Sequence, residues 1–204
     1  MEDKALLSTE EASGAEKAEL LIVIPAYNEA ENIERVVNHL TANFPQYDYV
    51  VVNDGSRDET AAICQRNGYN LLNLPVNLGL AGAFQAGLKY ADKYGYQYAV
   101  QLDGDGQHRP EYLESMIKKM EEGYDIVIGS RFVGEKKPFT MRMLGSNLIE
   151  MAIRFTTGVN IKDPTSGMRM FSKRMIREFA SGLNYGPEPV SYTHLRAHET
   201  CADL

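Results

Sequence analysis

The stretch YAVQLDGDGQH, residues Tyr98–His108, begins with a short apolar segment. Two aspartates, Asp103 and Asp105, follow that segment. Open α/β sheets bind ligands just outside the carboxyl ends of their strands. Gly104 and Gly106 stand beside the aspartates, and glycine lets backbone and ligand approach closely. The stretch therefore predicts one strand of an α/β sheet, with a ligand-binding turn at its end.

Apolar segments alternate with helical patterns on both sides of this stretch. Strands are predicted at Leu20–Ile24, Tyr49–Asn53, Asn70–Asn73, Gln97–Leu102 and Asp125–Gly129. Helices are predicted at Ala30–Asn43, Asp58–Asn67, Leu80–Tyr94 and Pro110–Glu122, with a short strand and a last helix near Lys173–Ala180. Strands rich in Val, Ile and Leu between helices indicate an α/β fold, with a Rossmann-like, mostly parallel sheet covered by helices on both faces.

Composition and charge exclude several classes of protein. A length of 204 residues suits one domain, and a net charge of -7 argues against a nucleic-acid-binding protein. Two cysteines, Cys64 and Cys201, are too few for a disulfide framework and indicate a reducing, cytosolic setting. The acidic residues 1–19 predict a mobile leader. The sequence contains no run of 18 apolar residues, so it predicts no membrane span, and we expect any membrane contact to be peripheral.

The aspartate pair is predicted to hold a metal ion that is shared with a diphosphate. Ions such as Mg²⁺ bind through one or two carboxylates plus substrate phosphates. An EF-hand loop is disfavoured, because His108 stands where that loop needs glycine and a strand precedes it. A phosphatase with an aspartyl nucleophile is disfavoured, because Gln107 stands where Thr or Val is usual. Taken alone, the pair also fits a solvated acidic turn.

Polar clusters follow three other predicted strands and are expected at the same edge of the sheet. They are PAYNE (Pro25–Glu29), NDGSRDET (Asn53–Thr60) and NLGLAGA (Asn77–Ala83). We expect Asp54 to accept hydrogen bonds from a ribose or a base, and Tyr27 either to stack on a base or to pack in the core. Asp58 is expected to cap the following helix. The amides that begin the helix at Gly79 are a candidate phosphate site.

The order of these motifs resembles that of family 2 glycosyltransferases, over about Leu20–Pro189. The matching motifs are Pro25-Ala26-Tyr27-Asn28-Glu29, Asp54-Gly55-Ser56, Asn77-x-Gly79, Asp103-x-Asp105-x-Gln107-His108 and Gly129-Ser130-Arg131. The chain is most similar to polyprenyl-phosphate sugar transferases of the dolichol-phosphate mannose synthase type. The resemblance implies a GT-A fold, a GDP- or UDP-linked sugar donor, an inverting transfer and a divalent cofactor, Mn²⁺ or Mg²⁺.

The resemblance also implies a role for individual residues. Nucleotide-sugar binding is implied for Pro25, Tyr27, Glu29, Asp54, Asn77, Asp103 and Gly104. The metal ligands would be Asp103, Asp105 and Gln107, and the catalytic residues Asp105 and Arg131. The phosphate of the acceptor would be bound by Arg131, Arg142 and Ser146. His108 is expected to be a structural hydrogen-bonding residue.

A basic segment after residue 129 favours an anionic acceptor. A polyprenyl phosphate is already charged at neutral pH and needs cations to hold it, whereas a sugar hydroxyl needs a base. Arg131, Lys136, Lys137 and Arg142 supply such cations, although the two lysines also fit a solvated loop. The chain has no tryptophan, whereas the processive polysaccharide synthases of the family carry a Q-x-x-R-W motif.

Two alternatives to the lipid-phosphate acceptor stay open. One is transfer to a carbohydrate hydroxyl, with Asp163 as the base; in the favoured interpretation Asp163 orders the acceptor loop. The other is a nucleotide- or metal-binding fragment without turnover. An apolar helix predicted at Phe139–Thr157 is expected to pack on the sheet, with surplus apolar surface that could enter a membrane interface.

The chain is predicted to contain one domain, residues 20–189, followed by a segment that does not belong to it. Residues 190–204 resemble translated adapter sequence, so we expect the natural sequence to be truncated near Pro189 and followed by foreign sequence. A zinc site at His194 and His198 is rejected, because the pair lacks a third ligand. The predicted partners are a nucleotide sugar, a polyprenyl phosphate and the cytoplasmic face of a membrane.

Overall fold

A computed structural model describes residues 19–104, 110–129, 168–181 and 201–203 of the chain. The strands in these residues are β1 Leu20–Ala26, β2 Asp48–Asn53, β3 Leu71–Asn73, β4 Tyr98–Gln101, β5 Ile126–Ile128, β6 Arg169–Ser172 and β7 Cys201–Asp203. The helices are α1 Ile33–Asn43, α2 Thr60–Arg66, α3 Gly79–Tyr94, α4 Leu113–Glu121 and α5 Lys173–Ser181, and a 3₁₀ turn at Pro110–Tyr112 precedes α4. The described strands form one sheet in the order β3-β2-β1-β4-β6-β5-β7.

The sheet is mostly parallel, as the sequence predicts, but β6 runs the other way. Strands β1, β2, β3 and β4 pair in parallel, as do β5 and β7. Strand β6 lies between β4 and β5 and is antiparallel to both. Its direction has no local signal in the sequence, because it depends on the path of the chain between β5 and β6. Within the described residues, the other predicted strands and helices are present, with ends shifted by up to three residues.

Strand β7 falls in the segment that the sequence analysis assigns to foreign sequence. Its backbone pairs in parallel with β5, with Ile126 opposite Cys201 and Ile128 opposite Asp203. It therefore takes the position at the edge of the sheet. The foreign origin of residues 190–204 stays a prediction.

Two hydrophobic clusters form the core, one on each face of the sheet. In β1, Leu20, Ile22 and Ile24 belong to the first cluster, whereas Leu21 and Val23 belong to the second. Helices α1, α2 and α4 cover the first face, and α3 and α5 cover the second. This confirms the prediction of helices on both faces. Every residue of β1 is buried, as expected for a central strand of a parallel sheet.

Helix α3 lies unusually close to β1. A Cβ atom added to Gly87 would lie only 2.2 Å from Cγ1 of Val23. Further along this face, the Phe171 ring packs against Phe84 and Phe179, with both pairs of ring centroids 5.5 Å apart. Helix α3 is therefore held firmly on the sheet, with its first turn at the edge where the parallel strands end.

None of the helices in the described residues is both long and apolar enough to cross a bilayer. The apolar helix predicted at Phe139–Thr157 lies outside the described residues.

Candidate functional site

A cleft of about 440 Å³ opens at the carboxyl ends of β1, β2 and β4. Its volume falls in the range of pockets that bind small ligands. The lining residues are Pro25, Ala26, Tyr27, Glu29, Asp54, Asn77, Gly79, Leu80, Ala83, Asp103 and Gly104. All seven residues predicted to bind a nucleotide sugar are among them. The structure thus brings these residues together, while their role as ligands of the donor stays a prediction.

The other predicted site residues lie outside the described part of the chain. They are the metal ligands Asp105 and Gln107, the acceptor-binding residues Arg131, Arg142 and Ser146, and the neighbouring His108 and Asp163. Their predicted roles in metal binding, catalysis and acceptor binding stay predictions.

The loop after β1, residues 27–32, carries Tyr27 and Glu29 into the cleft. The Glu29 carbonyl oxygen accepts hydrogen bonds from the amides of Asn32 and Ile33, at 3.0 and 2.9 Å, where α1 begins. The Asn32 side chain donates to Glu29 Oε2 at 2.9 Å and so orients its carboxylate. Tyr27 is 43% exposed at the cleft, so it does not pack in the core and is accessible to a ligand.

The loop after β2, residues 54–59, is locked against the segment that precedes α3. Asp54 is only 3% exposed, and its Oδ1 accepts a hydrogen bond from the Leu78 amide at 2.7 Å. Gly55 has a φ of 63°, and a Cβ there would lie 2.7 Å from the backbone nitrogen of Asn77. Because φ is positive and the conflict is with backbone, this position requires glycine. The hydrogen bond from the Leu78 amide holds the carboxylate of Asp54 at the wall of the cleft.

Two amides at the start of α3, those of Leu78 and Gly79, are engaged within the protein. Besides the Leu78 amide on Asp54, the Gly79 amide donates to Asn77 Oδ1 at 3.1 Å. The negative charge of Asp54 satisfies the positive end of the helix dipole. These contacts argue against a phosphate at the first two amides, which the sequence had suggested as a candidate site. Asp54 instead presents an acidic acceptor at the cleft.

Asp103 follows β4 and is positioned by the end of that strand. The side chain of the buried Gln101 donates to Asp103 Oδ1 at 2.9 Å. A Cβ added to Gly104 would lie 3.2 Å from the Pro25 carbonyl oxygen and 3.4 Å from Glu29 Cγ. A glycine therefore permits the turn after β4 to approach the loop after β1, which places Asp103 and Glu29 in the same cleft.

The described lining of the cleft is acidic. It contains the carboxylates of Glu29, Asp54 and Asp103, and no lysine, arginine or histidine. An anionic ligand in this cleft needs positive charge from elsewhere, because like charges repel strongly in a partly buried site. Carboxylate oxygens are the donors that Mg²⁺ and Mn²⁺ prefer. No three His, Cys, Asp or Glu side chains form a metal-binding group within the described residues, where Asp103 is the one predicted ligand present.

Asp58 contacts the first residue of α2 from one position outside the N-cap residue, so the capping prediction is met only in part. Its Oδ1 accepts a hydrogen bond from the Thr60 amide at 3.0 Å, from one position before the N-cap residue Glu59. Burial alone would raise the pKa of Asp58, but its hydrogen bonds with Thr60 and Ala30 lower that pKa overall. The carboxylate is therefore stabilised in its charged form.

A buried cation at this edge of the sheet was not predicted from the sequence. Arg169 is only 6% exposed and pairs with Ile128, the last residue of β5. It therefore lies at the edge where the parallel strands end, the edge that also carries Asp103. A single cation directly before the apolar residues Met170 and Phe171 is the signal that could have identified it.

Comparison with known proteins assigns the family. The model of glycosyl transferase family 2 matches residues 21–180. The chain belongs to glycosyl transferase family 2. This confirms the family that the motifs indicated and places the chain in a transferase family.

The family 2 chain is similar to several curated members. It is 32% identical to polyprenol monophosphomannose synthase of Mycolicibacterium smegmatis over 167 residues, which cover 78% of this chain and 63% of the relative. It is 31% identical to undecaprenyl-phosphate mannosyltransferase of Micrococcus luteus, over 78% of this chain and 68% of the relative. The chain thus spans about two thirds of the length of these relatives.

Solved structures confirm the GT-A fold of this family 2 chain. Glucosyl-3-phosphoglycerate synthase of Mycobacterium tuberculosis, in complex with UDP, matches with a TM-score of 0.65. The match covers 90% of this chain and 69% of the synthase, at 18% identity. At this identity the likeness concerns the fold alone.

Proposed function

We propose that the protein transfers a single sugar from a nucleotide sugar to a polyprenyl phosphate, with inversion at the anomeric carbon. The observation that carries the proposal is the cleft at the ends of β1, β2 and β4, which all seven predicted donor-binding residues line. The names of the M. smegmatis and M. luteus relatives support a lipid-phosphate acceptor.

The nucleotide end of the donor fits the side of the cleft formed by β1 and β2. Asp54 would accept hydrogen bonds from the ribose or the base, since the Leu78 amide holds its carboxylate at the wall. Tyr27 is exposed there and would stack on the base. Glu29, oriented by Asn32, offers a second acceptor for hydroxyl groups. These contacts suit a nucleoside and do not by themselves distinguish GDP from UDP.

The diphosphate end of the donor fits the side of the cleft that carries Asp103. A divalent cation suits this place, because the described lining offers carboxylate oxygens and no cationic side chain. Asp103, Asp105 and Gln107 would hold the ion, which would act as a Lewis acid that stabilises the charge of the leaving diphosphate. A structure of the M. tuberculosis synthase, which shares the fold, contains both Mn²⁺ and UDP, and this supports a divalent cofactor without identifying its ligands here.

The acceptor would react as an anion. A phosphate oxygen of the polyprenyl phosphate forms the new bond to the anomeric carbon, while the bond from that carbon to the donor diphosphate breaks and a nucleoside diphosphate leaves. No proton has to be removed, because the acceptor is already ionised at neutral pH. Arg131, Arg142 and Ser146 would hold its phosphate. Since the acceptor is a lipid, we propose that the protein works peripherally at the cytoplasmic face of a membrane.

A donor panel tests this function. The full chain is incubated with undecaprenyl phosphate and with GDP-mannose, UDP-glucose or UDP-N-acetylglucosamine, with and without Mn²⁺. We expect one donor to give a glycolipid that carries one sugar, only when metal is present, and to raise the thermal unfolding temperature. Absence of nucleotide binding across the panel would contradict the proposal. Transfer to a free sugar hydroxyl that Asp163→Asn abolishes would instead establish the hydroxyl acceptor.

Arg142→Ala tests the lipid-phosphate acceptor separately. A charge-assisted hydrogen bond is worth about 1.5–3 kcal/mol, so we expect the KM for undecaprenyl phosphate to rise about ten- to a hundredfold. Donor binding should change little. Arg66→Ala, which removes an exposed arginine at the end of α2, is the matched control. Equal KM values for the wild type and Arg142→Ala would reject the phosphate-binding role.

A further inference from the structure

Three consecutive backbone amides in the loop after β1 donate hydrogen bonds to side chains between the end of β2 and the first residue of α2. The Asn28 amide donates to Ser56 Oγ at 3.0 Å, the Glu29 amide to Thr60 Oγ1 at 2.9 Å and the Ala30 amide to Asp58 Oδ2 at 3.1 Å. We call Ser56, Asp58 and Thr60 the amide clamp. The clamp joins two segments that are about 30 residues apart in sequence.

The members of the amide clamp also hold one another. The Thr60 hydroxyl donates to Asp58 Oδ1 at 2.5 Å while it accepts the Glu29 amide. Thr60 is fully buried, so no water replaces these contacts if its hydroxyl is removed. The carboxylate of Asp58 thus binds the Ala30 amide with one oxygen and Thr60 with the other.

The loop that the clamp holds has an uncommon backbone conformation. Asn28 has a φ of 57°, in the left-handed region that residues other than glycine seldom adopt. The Asn28 side chain stabilises this turn by accepting the Arg57 amide at 2.9 Å. Such conformations persist only where the surroundings impose them, and they cluster at functional sites. Here the residues on either side, Tyr27 and Glu29, line the cleft.

We propose that Thr60 is a positioning residue: through the Glu29 amide, its hydroxyl fixes Tyr27 and Glu29 where the nucleotide of the donor binds. Thr60 does not line the cleft, so it would act only through the loop. The inference rests on the proposed function for the identity of the ligand. It gives the segment from Ser56 to Thr60 a role in ligand affinity besides its role in starting α2.

Thr60→Val, which keeps the shape of the side chain and removes its hydroxyl, tests this role. We measure the Kd for UDP and GDP with Mn²⁺, and the KM and kcat for the donor that the panel identifies. With the loop released, we expect Kd and KM to rise about tenfold and kcat to change less than about threefold. Thr60→Ser restores the hydroxyl and should return the Kd to within about twofold of the wild type.

Ser172→Ala is the matched control, because Ser172 makes the same kind of link away from the cleft. Its hydroxyl donates to Asp125 Oδ1 at 2.9 Å and accepts the Met175 amide at 3.4 Å, at the end of β6. We expect this variant to lower the thermal unfolding temperature and leave the Kd for nucleotide unchanged. An equal rise in Kd for both variants would show a general loss of stability and overturn the positioning role.

A double-mutant cycle identifies the route by which Thr60 acts. If Thr60 works through the loop, Thr60→Val should have little further effect once both cleft side chains of the loop are removed, in a Tyr27→Ala, Glu29→Ala background. An undiminished effect there would overturn the proposal, as would unchanged affinity in Thr60→Val alone. If Thr60→Val does not fold, Ser56→Ala repeats the test through the Asn28 amide, with an expected rise in Kd of about threefold; unchanged affinity would overturn the role of the clamp. A wild type that binds no nucleotide contradicts the proposed function itself.

Discussion

Asp103→Asn is expected to lower the rate of metal-dependent sugar transfer by about a hundredfold or more, with little change in thermal stability. The substitution removes a negative charge and a hard oxygen ligand from the cleft, and both contribute to the binding of a divalent cation. An asparagine oxygen can still accept the hydrogen bond from Gln101, so the end of β4 keeps its contact. Initial rates over a series of Mn²⁺ concentrations, together with the thermal unfolding temperature, test this expectation.

Asp92→Asn provides the control for this substitution. Asp92 is an exposed residue of α3 outside the cleft, and its Oδ1 lies 3.8 Å from Nε of Arg177. Neutralising this carboxylate should therefore leave the transfer rate unchanged. Undiminished metal-dependent transfer by Asp103→Asn would reject Asp103 as a metal ligand. Loss of nucleotide binding in the absence of metal would assign Asp103 to the nucleotide instead.

Gly87→Ala is expected to lower the free energy of unfolding by about 1–3 kcal/mol, although alanine is the better helix former. The new Cβ would lie 2.2 and 2.9 Å from the two methyl carbons of Val23. Val23 is fully buried on the central strand, so neither partner can move away without shifting α3. Urea denaturation of the wild type and the variant measures the difference. An unchanged or increased free energy of unfolding would contradict the expectation.

A second substitution tests whether the conflict with Val23 is the cause. Val23→Ala alone creates a cavity and should destabilise the protein. In the double variant Val23→Ala, Gly87→Ala, the added methyl fills part of that space. The double variant should therefore be less destabilised than the sum of the two single variants. Additive effects would show that the contact between α3 and β1 is not the source of the loss.

The fold and the position of the cleft could be predicted from the sequence because both follow from local patterns. Apolar segments alternating with helices identify the parallel strands, whose carboxyl ends must meet at one edge. The polar residues that follow β1, β2 and β4 therefore had to lie close together. For this reason distant residues such as Tyr27, Asp54 and Asp103 could be assigned to one cleft, and they line it.

The contacts that shape the cleft could not be predicted, because they depend on the tertiary arrangement. Nothing local in the sequence indicates that Asp54 accepts the amide of Leu78, which takes up part of the candidate phosphate site at α3. Nor does the position of Thr60 at the start of a helix indicate that its hydroxyl accepts a hydrogen bond from the Glu29 amide in another loop. The direction of β6 was missed for a similar reason, since strand pairing is set by long-range packing.

The position of β6 also has a consequence for the order in which the protein folds. Strand β6 begins roughly 70 residues after β4 ends, yet it is the direct neighbour of β4 in the sheet. During synthesis the first four strands can therefore pair while one edge of β4 still has no partner. An open, apolar strand edge is a template for pairing with other chains. The nascent protein thus has an open strand edge that favours aggregation in the interval between the synthesis of β4 and that of β6.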